Sequence, residues 1–344
     1  MIDGEPCRLP DWLSCFPAKL ECYAADEYFP GGWATLTEIH RQGVFPSERL
    51  WTIGSVLFKA DTMLRGSGLR GIRFLEEQGF EIRAVREVCF SGARVEQFWR
   101  YSLGRLSRER VELLKALQKL SPSLYVLVES ADQGTRLPCS LRLTELKGQV
   151  DVARRHAGNL RYAMGDPQSA FFNFVHTADE PADLIRELGL LFDAAERREM
   201  LLQTMSGSRP DVEGVYERLR LSCVPSDLDF SAAVARLRDQ IVSVSQGSDE
   251  VRAELLDAAG TLQQGNYHSW LRLRDKLSAR RVPIDEIDAM VIAAGLIALK
   301  QEHPKQLFPS CEARHWDHHY PALKGHLLDP GAGAAVGSCA DAVP

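Results

Sequence analysis

Between residues 50 and 200 the chain alternates between runs that are typical of strands and patterns that are typical of amphipathic helices. The strand-like runs are short and rich in β-branched and aromatic residues, or alternate apolar and polar positions. They are LWTIGSVLF at 50–58, EIRAVREVCF at 81–90, SPSLYVLVES at 121–130 and AFFNFV at 170–175. The segments between them repeat apolar residues at helical spacing. In PADLIRELGLLF, Leu184, Ile185, Leu188 and Leu191 share one face.

The order of these segments predicts the fold class. The succession βαβ–αα–βαβα is typical of an α+β fold, a ferredoxin-like split βαβ antiparallel sheet with helices on one face. We assign this domain to residues 49–200. Residues 205–209 (MSGSR) interrupt the pattern, and beyond them every apolar repeat has helical spacing. The sequence therefore predicts an all-α C-terminal appendage at residues 210–302.

The two ends of the chain have weaker patterns. Residues 1–48 are rich in proline, glycine and aromatic residues, which predicts an irregular N-terminal cap with one short helix at Thr35–Gln42. The tail, residues 303–344, ends in small residues with few large apolar ones, so we expect it to be partly disordered.

Composition narrows the function classes. The chain has 344 residues, 41 basic and 47 acidic, for a formal net charge of −6, and 45% of its residues are hydrophobic. This balance argues against a nucleic-acid-binding protein. No apolar run approaches the ~20 residues that a membrane span needs, and no signal peptide is evident. We therefore expect a soluble cytoplasmic protein without nucleic-acid or membrane partners.

The eight cysteines are irregularly spaced and include no CxxC pair, which indicates reduced thiols. A zinc site made from Cys7, Cys15 and Cys22 is disfavoured because that spacing fits no common site. The histidines of the tail, His315, His318, His319 and His326, are a second possible metal cluster. We interpret them as a polar segment instead, because no predicted helix brings them together.

One fragment combines a histidine with a carboxylate at a useful spacing. His176 ends the fourth strand-like run, and Glu187 lies eleven residues later, two turns into the following helix. A carboxylate there can hold one imidazole nitrogen and leave the other as a nucleophile or base. The alternative is a histidine with a structural role only, and this fragment alone does not decide between them.

Two further elements carry positive charge at the ends of predicted elements. Lys59 and Asp61 follow the first strand, and Arg65 lies four residues after Asp61. A lysine at a strand end, beside a helix N-terminus, can reach a phosphate. Arg161 lies in the loop before the His176 strand, where its guanidinium could bind a phosphate. Taken singly, each also fits an ordinary solvated side chain.

Taken together, residues 50 to about 195 resemble nucleoside diphosphate kinase. The family pattern Lys-Pro-Asp-x-x-x-Arg-Gly is matched by Lys59-Ala60-Asp61 and Arg65-Gly66. A Gly-Phe turn follows at 79–80, then Glu96-Gln-Phe98-Trp99 where the family has Glu-x-Phe-Tyr. A Leu-x-Gly helix end (146–148), the loop arginine, and Asn173 with His176 complete the match, again with a glutamate eleven residues after the histidine.

The resemblance implies a mechanism and a set of site residues. A strand-end histidine of the family takes a phosphoryl group from a nucleoside triphosphate and passes it to a diphosphate. Carried over, His176 is the phospho-accepting nucleophile and Glu187 its orienting partner. Lys59 and Arg161 would contact phosphates, Asn173 the sugar hydroxyl side, and Trp99 would take the place of the active-site tyrosine. The resemblance also implies Mg²⁺ bridging the nucleotide phosphates, with no metal site in the protein itself, and a possible homo-oligomer.

The departures from the family pattern bear on the substrate. The family's phosphate-binding arginine, four residues before the Leu-x-Gly glycine, is Thr144 here, and its threonine two residues after that glycine is Val150. Trp99 lacks the tyrosine hydroxyl, and Ala178 stands where the family has a serine. Arg142, Arg154 or Arg155 could replace the lost arginine, since all three lie in the same helix-and-loop stretch, and we expect Arg142 to bind phosphate.

Three functions stay open on the sequence. The leading one is phosphoryl transfer through a phosphohistidine at His176 to a nucleotide or phosphorylated metabolite. The second keeps the fold but uses His176 as an acid or base in a non-kinase reaction of a specialised biosynthetic pathway. The third is a nucleotide-binding regulatory module that acts through its helical extension.

Overall fold

An antiparallel sheet of four strands forms the centre of the molecule. The computed structural model describes residues 9–131, 137–165, 169–243, 249–298 and 307–317. The strands are β1 (Ile53–Phe58), β2 (Phe80–Val88), β3 (Ser123–Ser130) and β4 (Val175–Thr177). They lie in the order β2-β3-β1-β4.

The strand order confirms the predicted fold class. β3 lies between β1 and β2 and is antiparallel to both, with Val56 opposite Val126 and Val85 opposite Val126 on the other side. β1 and β2 are therefore parallel and separated by one strand, which defines a split βαβ unit. β4 pairs antiparallel with the outer edge of β1, so that His176 lies opposite Leu57.

Helices connect the strands and extend the chain at both ends. The helices up to the end of the sheet domain are α1 (Pro17–Ala24), α2 (Phe29–Arg41), α3 (Arg49–Thr52), α4 (Ala60–Arg65), α5 (Gly68–Glu77), α6 (Gly92–Phe98), α7 (Arg108–Lys119), α8 (Cys139–Lys147), α9 (Leu160–Ala163), α10 (Pro181–Leu191) and α11 (Ala194–Gln203). The C-terminal helices are α12 (Val212–Leu221), α13 (Phe230–Ser243), α14 (Asp249–Gly260), α15 (Tyr267–Ala279), α16 (Glu286–Leu296) and α17 (Ala313–Asp317). Short 3-10 turns lie at Asp11–Leu13, Leu103–Arg105, Val152–Arg154 and Thr261–Gln264. No helix of the described residues has both the length and the apolarity to cross a membrane.

Helices cover both faces of the sheet, so the expectation of helices on one face is incomplete. Every residue of β3 is buried, and its alternate side chains enter two different cores. Val126 and Val128 face α5 and the C-terminal helices, whereas Tyr125 and Leu127 face α2, α6 and α10. Because both sides of the central strands are apolar, one helical layer could not have covered them.

The N-terminal segment is helical, and the prediction of an irregular cap was wrong. α2 starts at Phe29, six residues before the predicted start, with a proline in its first turn. Gly31 and Gly32 follow, and a Cβ on Gly32 would overlap the Ile185 carbonyl of α10. The glycines obscured the helical pattern in the sequence, but they are what allows α2 and α10 to approach closely.

The appendage packs against the sheet domain and is continuous with its core. Tyr216 of α12 is fully buried, and its hydroxyl accepts a hydrogen bond from the Gly68 amide of α5 at 2.9 Å. Part of the tail also packs against the protein, since the buried ring of Trp316 meets Trp51 edge-on at 5.2 Å. Residues 303–306 and 318–344, the rest of the predicted tail, lie outside the described residues.

The fourth strand is shorter and later than the run at 170–175 predicts. The backbone leaves the extended conformation at Phe174, whose φ is +60°, and the strand begins only at Val175. Hydrogen bonds from α4 and its N-cap fix this left-handed residue, as described below. An apolar run does not reveal such a bend, because the stabilising partners are more than a hundred residues away in the sequence.

We expect Gly189→Ala to destabilise the fold because it separates α2 from α10. A Cβ at this position would overlap the carbonyl oxygen of Tyr28, which is backbone and cannot rotate away. We expect a loss of about 1–3 kcal/mol in the free energy of unfolding, measured by chemical denaturation. Gly260→Ala is the matched control, because a Cβ there meets no atom within 4 Å. Equal stability of the Gly189→Ala variant and the wild type would show that the helices are not in close contact.

Candidate active site

His176 and Glu187 form a hydrogen-bonded pair at the edge of the sheet. His176 is the middle residue of β4, and its side chain is 26% exposed. Its Nε2 lies 2.6 Å from Oε1 of Glu187, which projects from the second turn of α10. The eleven-residue spacing therefore brings the two side chains together as expected. Nδ1 of His176 has no hydrogen-bond partner among the described residues.

Two hydroxyl groups from neighbouring strands hold the Glu187 carboxylate in place. Ser55 of β1 and Tyr125 of β3 donate hydrogen bonds to Oε2 at 2.8 and 3.1 Å. Burial raises the pKa of Tyr125, and the Glu187 charge adds to this, so its hydroxyl remains a donor. With Oε2 accepting two hydrogen bonds, Oε1 is left to accept the Nε2 proton of His176. This arrangement favours the imidazole tautomer whose Nδ1 carries a free lone pair.

Aromatic rings form one wall beside the imidazole. The Phe98 ring meets His176 edge-on at 4.9 Å, and the Trp99 ring lies almost perpendicular to it at 6.0 Å. Trp99 also stacks on Phe90. The structure therefore brings Trp99 to the imidazole, where the resemblance places it, as an apolar surface that has only an indole N–H as a polar group.

The segment Lys59–Asp61 holds the loop that precedes the histidine. The Asp61 carboxylate accepts a hydrogen bond from the Phe174 amide at 2.8 Å. The Phe174 carbonyl accepts from the Lys59 amide and from the Thr62 hydroxyl, both at 2.8 Å. These three bonds stabilise the positive φ of Phe174, which a bulky residue otherwise adopts rarely. They fix the chain two residues before His176.

The Lys59 ammonium is buried with little compensation. Lys59 is 3% exposed, and its Nζ lies 3.4 Å from Oδ2 of Asp61. The other Asp61 oxygen is buried and has no hydrogen-bond partner among the described residues. Burial lowers the pKa of Lys59 to about 8; Arg161 and Arg110 also lower it, whereas Asp61 opposes them. The Lys59 ammonium is therefore only weakly compensated by hydrogen bonds within the described residues.

Arg161 and Asn173 lie beside the same loop. The buried Arg161 guanidinium donates to the carbonyls of Asn173, Gly148 and Val175 at 3.0, 2.6 and 3.1 Å. Burial lowers the pKa of Arg161 to about 9, and the nearby Arg155 contributes. The Asn173 side chain is half-buried and makes one long hydrogen bond, 3.4 Å, to the Phe171 carbonyl. Arg161 therefore orders the site backbone as well as adding positive charge.

Lys147 is a further cation of the site, which the sequence pattern did not predict. It ends α8, its side chain is 13% exposed, and its Nζ lies 2.8 Å from the Thr177 hydroxyl. Asp179 accepts from the same ammonium at 3.4 Å. Thr144, one helical turn earlier, hydrogen bonds to the same two side chains at 2.9 Å. Lys147 lies three residues after Thr144, which stands where the family has its phosphate-binding arginine. This helical spacing could have predicted that Lys147 lies on the same face of α8.

The structure does not bring Arg142 to this site. Its guanidinium donates to the Ser130 hydroxyl at the end of β3 and lies over the Phe80 ring. Tyr125, which contacts Glu187, lies five residues before Ser130 in the same strand. Because each strand residue adds about 3.3 Å, Arg142 is held far from the dyad. The choice of Arg142 as the replacement arginine is thus wrong, since it projects from a different face of α8 than Thr144 does. Arg154 is exposed, and Arg155 donates to the carbonyls of Gln149 and Val150.

The N-terminal segment holds the start of α10, a role that its sequence did not reveal. Glu180, the N-cap of α10, accepts hydrogen bonds from Ser14, the Cys15 amide and the Lys19 ammonium. Lys19 also pairs with Asp183 at 2.6 Å. Because α10 carries Glu187, these contacts help to fix the position of the dyad.

One group of potential metal ligands occurs in the described part of the chain, and it does not include His176. Cys15, Glu180 and Cys311 offer ligand atoms that lie within 4.8 Å of one another. The Glu180 oxygens already accept three hydrogen bonds. Cys7 of the predicted cysteine group lies outside the described residues, as do three of the four tail histidines. His315 packs edge-on against Phe16, and its Nδ1 accepts from the Glu312 amide.

The part of the chain that carries these residues is similar to a known family of proteins. A family model described as "Nucleoside diphosphate kinase" matches residues 54–197. The nucleoside diphosphate kinase of Sorangium cellulosum (strain So ce56) is 27% identical over 140 residues, which cover 41% of this chain and 90% of that protein.

Two solved structures are also similar to part of the chain. An orthorhombic crystal form of the Aquifex aeolicus nucleoside diphosphate kinase is 25% identical and covers 42% of this chain and 97% of that one, with a TM-score of 0.34. The apo enzyme from Encephalitozoon cuniculi is 18% identical and covers 40% and 87%, with a TM-score of 0.35. The matches to the family model and to the Sorangium protein identify residues 54–197 as a nucleoside-diphosphate-kinase-like domain, and the chain extends beyond it at both ends.

Proposed function

We propose that this nucleoside-diphosphate-kinase-like domain transfers a phosphoryl group from a nucleoside triphosphate to a second nucleotide or phosphorylated metabolite, through a phosphohistidine at His176. The observation that carries the proposal is the oriented dyad. Glu187 holds Nε2 at 2.6 Å, and Nδ1 has no partner among the described residues. Because the His176 side chain is 26% exposed, this nitrogen is accessible to a substrate, as the nucleophile of the proposed reaction must be.

The first half-reaction forms a bond between Nδ1 and phosphorus. The Nδ1 lone pair attacks the γ-phosphorus, the bond to the bridging oxygen breaks, and the nucleoside diphosphate leaves with that electron pair. The imidazole becomes positively charged, and the Glu187 carboxylate stabilises this charge through the Nε2 proton. In the second half-reaction an oxygen of the acceptor attacks the phosphorus, the N–P bond breaks, and His176 regains its lone pair.

The charges around His176 suit an anionic substrate. The pKa values of Lys59, Lys147 and Arg161 are all lowered, chiefly by burial, so each of these cations has lost part of its hydration. A triphosphate would compensate these charges and regain part of the desolvation free energy. The Glu187 and Asp179 carboxylates already accept hydrogen bonds from protein donors, so neither is a free ligand for Mg²⁺. The ion would instead be bound by the triphosphate and would neutralise part of its charge.

The free thiols agree with the proposed cytoplasmic location. The six cysteines in the described residues, at positions 15, 22, 89, 139, 223 and 311, are all unpaired. Reduced thiols are typical of proteins in the cytoplasm, and nucleoside triphosphates are available in the same compartment.

Nucleotide affinity is expected to fall as the pH rises through 8. Lys59 attracts phosphate only when it is protonated, and its pKa of about 8 in the free protein places the loss of charge there. Below about pH 7 affinity is insensitive to this group, and above pH 8 it declines by up to about tenfold per pH unit until the higher pKa of the complex is reached. Isothermal titration with a nucleoside diphosphate between pH 7 and 9 measures the decline.

Two variants test the assignment of this pH dependence. Lys59→Arg keeps its charge over the whole range and should flatten the profile between pH 7 and 9. Lys119→Arg, at the exposed last residue of α7, should keep the wild-type profile. If the wild type and Lys59→Arg lose affinity in parallel, Lys59 is not the titrating group.

Trapping of the intermediate tests the proposed function. Incubation with γ-labelled nucleoside triphosphate and Mg²⁺ should give a labelled protein whose label is labile in acid and stable in base. Addition of unlabelled nucleoside diphosphates should then remove the label, and initial rates should follow a ping-pong pattern. A panel of nucleotides and phosphorylated metabolites in the chase identifies the acceptor. Absence of label with every triphosphate would overturn the proposal.

A further inference from the structure

We propose that Lys147 binds a phosphate group of the substrate and supplies the positive charge that this site lacks at Thr144. This inference rests on the proposed function and specifies how the same site recognises a nucleotide. It concerns a side chain on α8, one residue before the glycine that ends the helix.

Lys147 reaches the edge of the sheet next to the histidine. Its ammonium contacts the Thr177 hydroxyl, and Thr177 directly follows His176 in β4. Its second contact, Asp179, lies three residues after His176 and is partly exposed. The ammonium therefore lies beside the chain segment from which the imidazole projects.

Thr144 and Lys147 converge on the same two acceptors. They are three residues apart, so they lie on one face of α8. The Thr144 hydroxyl contacts the Thr177 hydroxyl and Asp179 Oδ1, and the Lys147 ammonium contacts the same two atoms. Thr144 provides a short neutral group, and the charge at this point comes from Lys147.

The ammonium has a donor left for a ligand. An ammonium has three N–H groups, and Lys147 has two acceptors among the described residues. The Asp179 contact is long, 3.4 Å, and is therefore weak. Burial lowers the pKa of Lys147, and Arg161 adds to this effect, although Asp179 opposes it. An incoming phosphate oxygen would complete the coordination of this ammonium.

The competing explanation is that Lys147 only neutralises Asp179. A double substitution separates the two explanations. In Lys147→Met/Asp179→Asn both charges are absent, so a purely mutual pair leaves no unpaired charge. If Lys147 binds phosphate, the double variant still lacks the phosphate contact and resembles Lys147→Met.

The experiment compares Lys147→Met, Lys147→Arg and the double variant by affinity for ADP and by kcat/KM. We expect Lys147→Met to weaken ADP binding by about 10- to 100-fold, as for a lost charge-assisted contact. Lys147→Arg should keep affinity within about fivefold, because the charge is kept. Lys119→Met, at the exposed last residue of α7, is the control and should bind as the wild type does. Thermal unfolding of each variant verifies that the fold is intact, and Lys147→Gln replaces Lys147→Met if that variant does not fold.

The outcomes distinguish this inference from the proposed function. ADP affinity in the double variant that equals the wild type overturns the phosphate role of Lys147, as does unchanged affinity in Lys147→Met. Neither result affects the phosphohistidine, which labelling tests separately. If the wild type gives no phosphoprotein but the Lys147 variants lose ADP affinity, the reaction assignment is wrong and the phosphate contact still holds.

Discussion

Replacement of His176 by asparagine is expected to lower kcat by at least about 10⁴-fold, because no other group can form the N–P bond. Asparagine keeps a polar amide near Glu187 but has no lone pair with comparable nucleophilicity. The side chain is partly exposed, so the change should affect stability much less than activity. Initial rates with a nucleoside triphosphate and a diphosphate acceptor measure the loss.

Two controls show whether the loss of activity is specific to the nucleophile. His268→Asn, at an exposed position on α15, should leave kcat unchanged. ADP affinity of His176→Asn should stay within a few-fold of the wild type, since phosphate contacts come from other residues. Residual activity of a tenth of the wild type or more would mean that another group performs the transfer.

Glu187→Gln is expected to lower kcat by about 10²- to 10³-fold while changing the shape of the site very little. Ser55 and Tyr125 both donate hydrogen bonds to Oε2, so the amide oxygen of glutamine should occupy that position. The amide nitrogen then faces Nε2 of His176 and donates to it. Nε2 becomes the acceptor, the proton moves to Nδ1, and the nucleophilic lone pair is lost.

The tautomer provides a readout that simple loss of packing would not produce. ¹⁵N NMR of the imidazole should show the proton on Nε2 in the wild type and on Nδ1 in Glu187→Gln. A Ser55→Ala/Glu187→Gln double variant should recover part of the activity, because the amide is then freer to turn its oxygen toward His176. Wild-type kcat in Glu187→Gln would show that the carboxylate does not orient the nucleophile.

The sheet could be predicted because its information is local. Each strand is an apolar or alternating run bounded by turns, and the order of the runs with helices between them restricts the topology to few choices. The fold class was accordingly correct. The bend at Phe174 and the helical start at Phe29 were missed because both depend on distant partners, Asp61 and α10, that no local pattern reveals.

The site, like the fold, could be predicted only in part from the sequence. The His176–Glu187 contact follows from spacing along one strand and the next helix, and this contact is present. The sequence could not show whether Arg142 or Lys147 lies nearer to His176, because both are on α8. Which face of α8 meets β4 depends on tertiary packing. Ser55 and Tyr125 were polar residues in apolar strands, and the carboxylate that explains them comes from a third element.

The N-terminal segment contributes to the site through α10. The N-terminal segment pairs Lys19 with Glu180 and Asp183 at the start of α10, and Asp26 with Arg186 further along it at 3.0 Å. Buried pairs of this kind are costly to break, because loss of one partner leaves an uncompensated charge. The N-terminal segment therefore helps to support the residue that orients the nucleophile.

Location of the phosphoryl group tests the central claim most directly. The protein is incubated with a nucleoside triphosphate and Mg²⁺, digested at alkaline pH, and fragmented by electron transfer so that the N–P bond survives. We predict a single phosphorylated site, His176, in wild-type protein, and none in His176→Asn. A phosphoryl group on any other residue, or an unmodified His176 in protein that turns over substrate, would contradict the account.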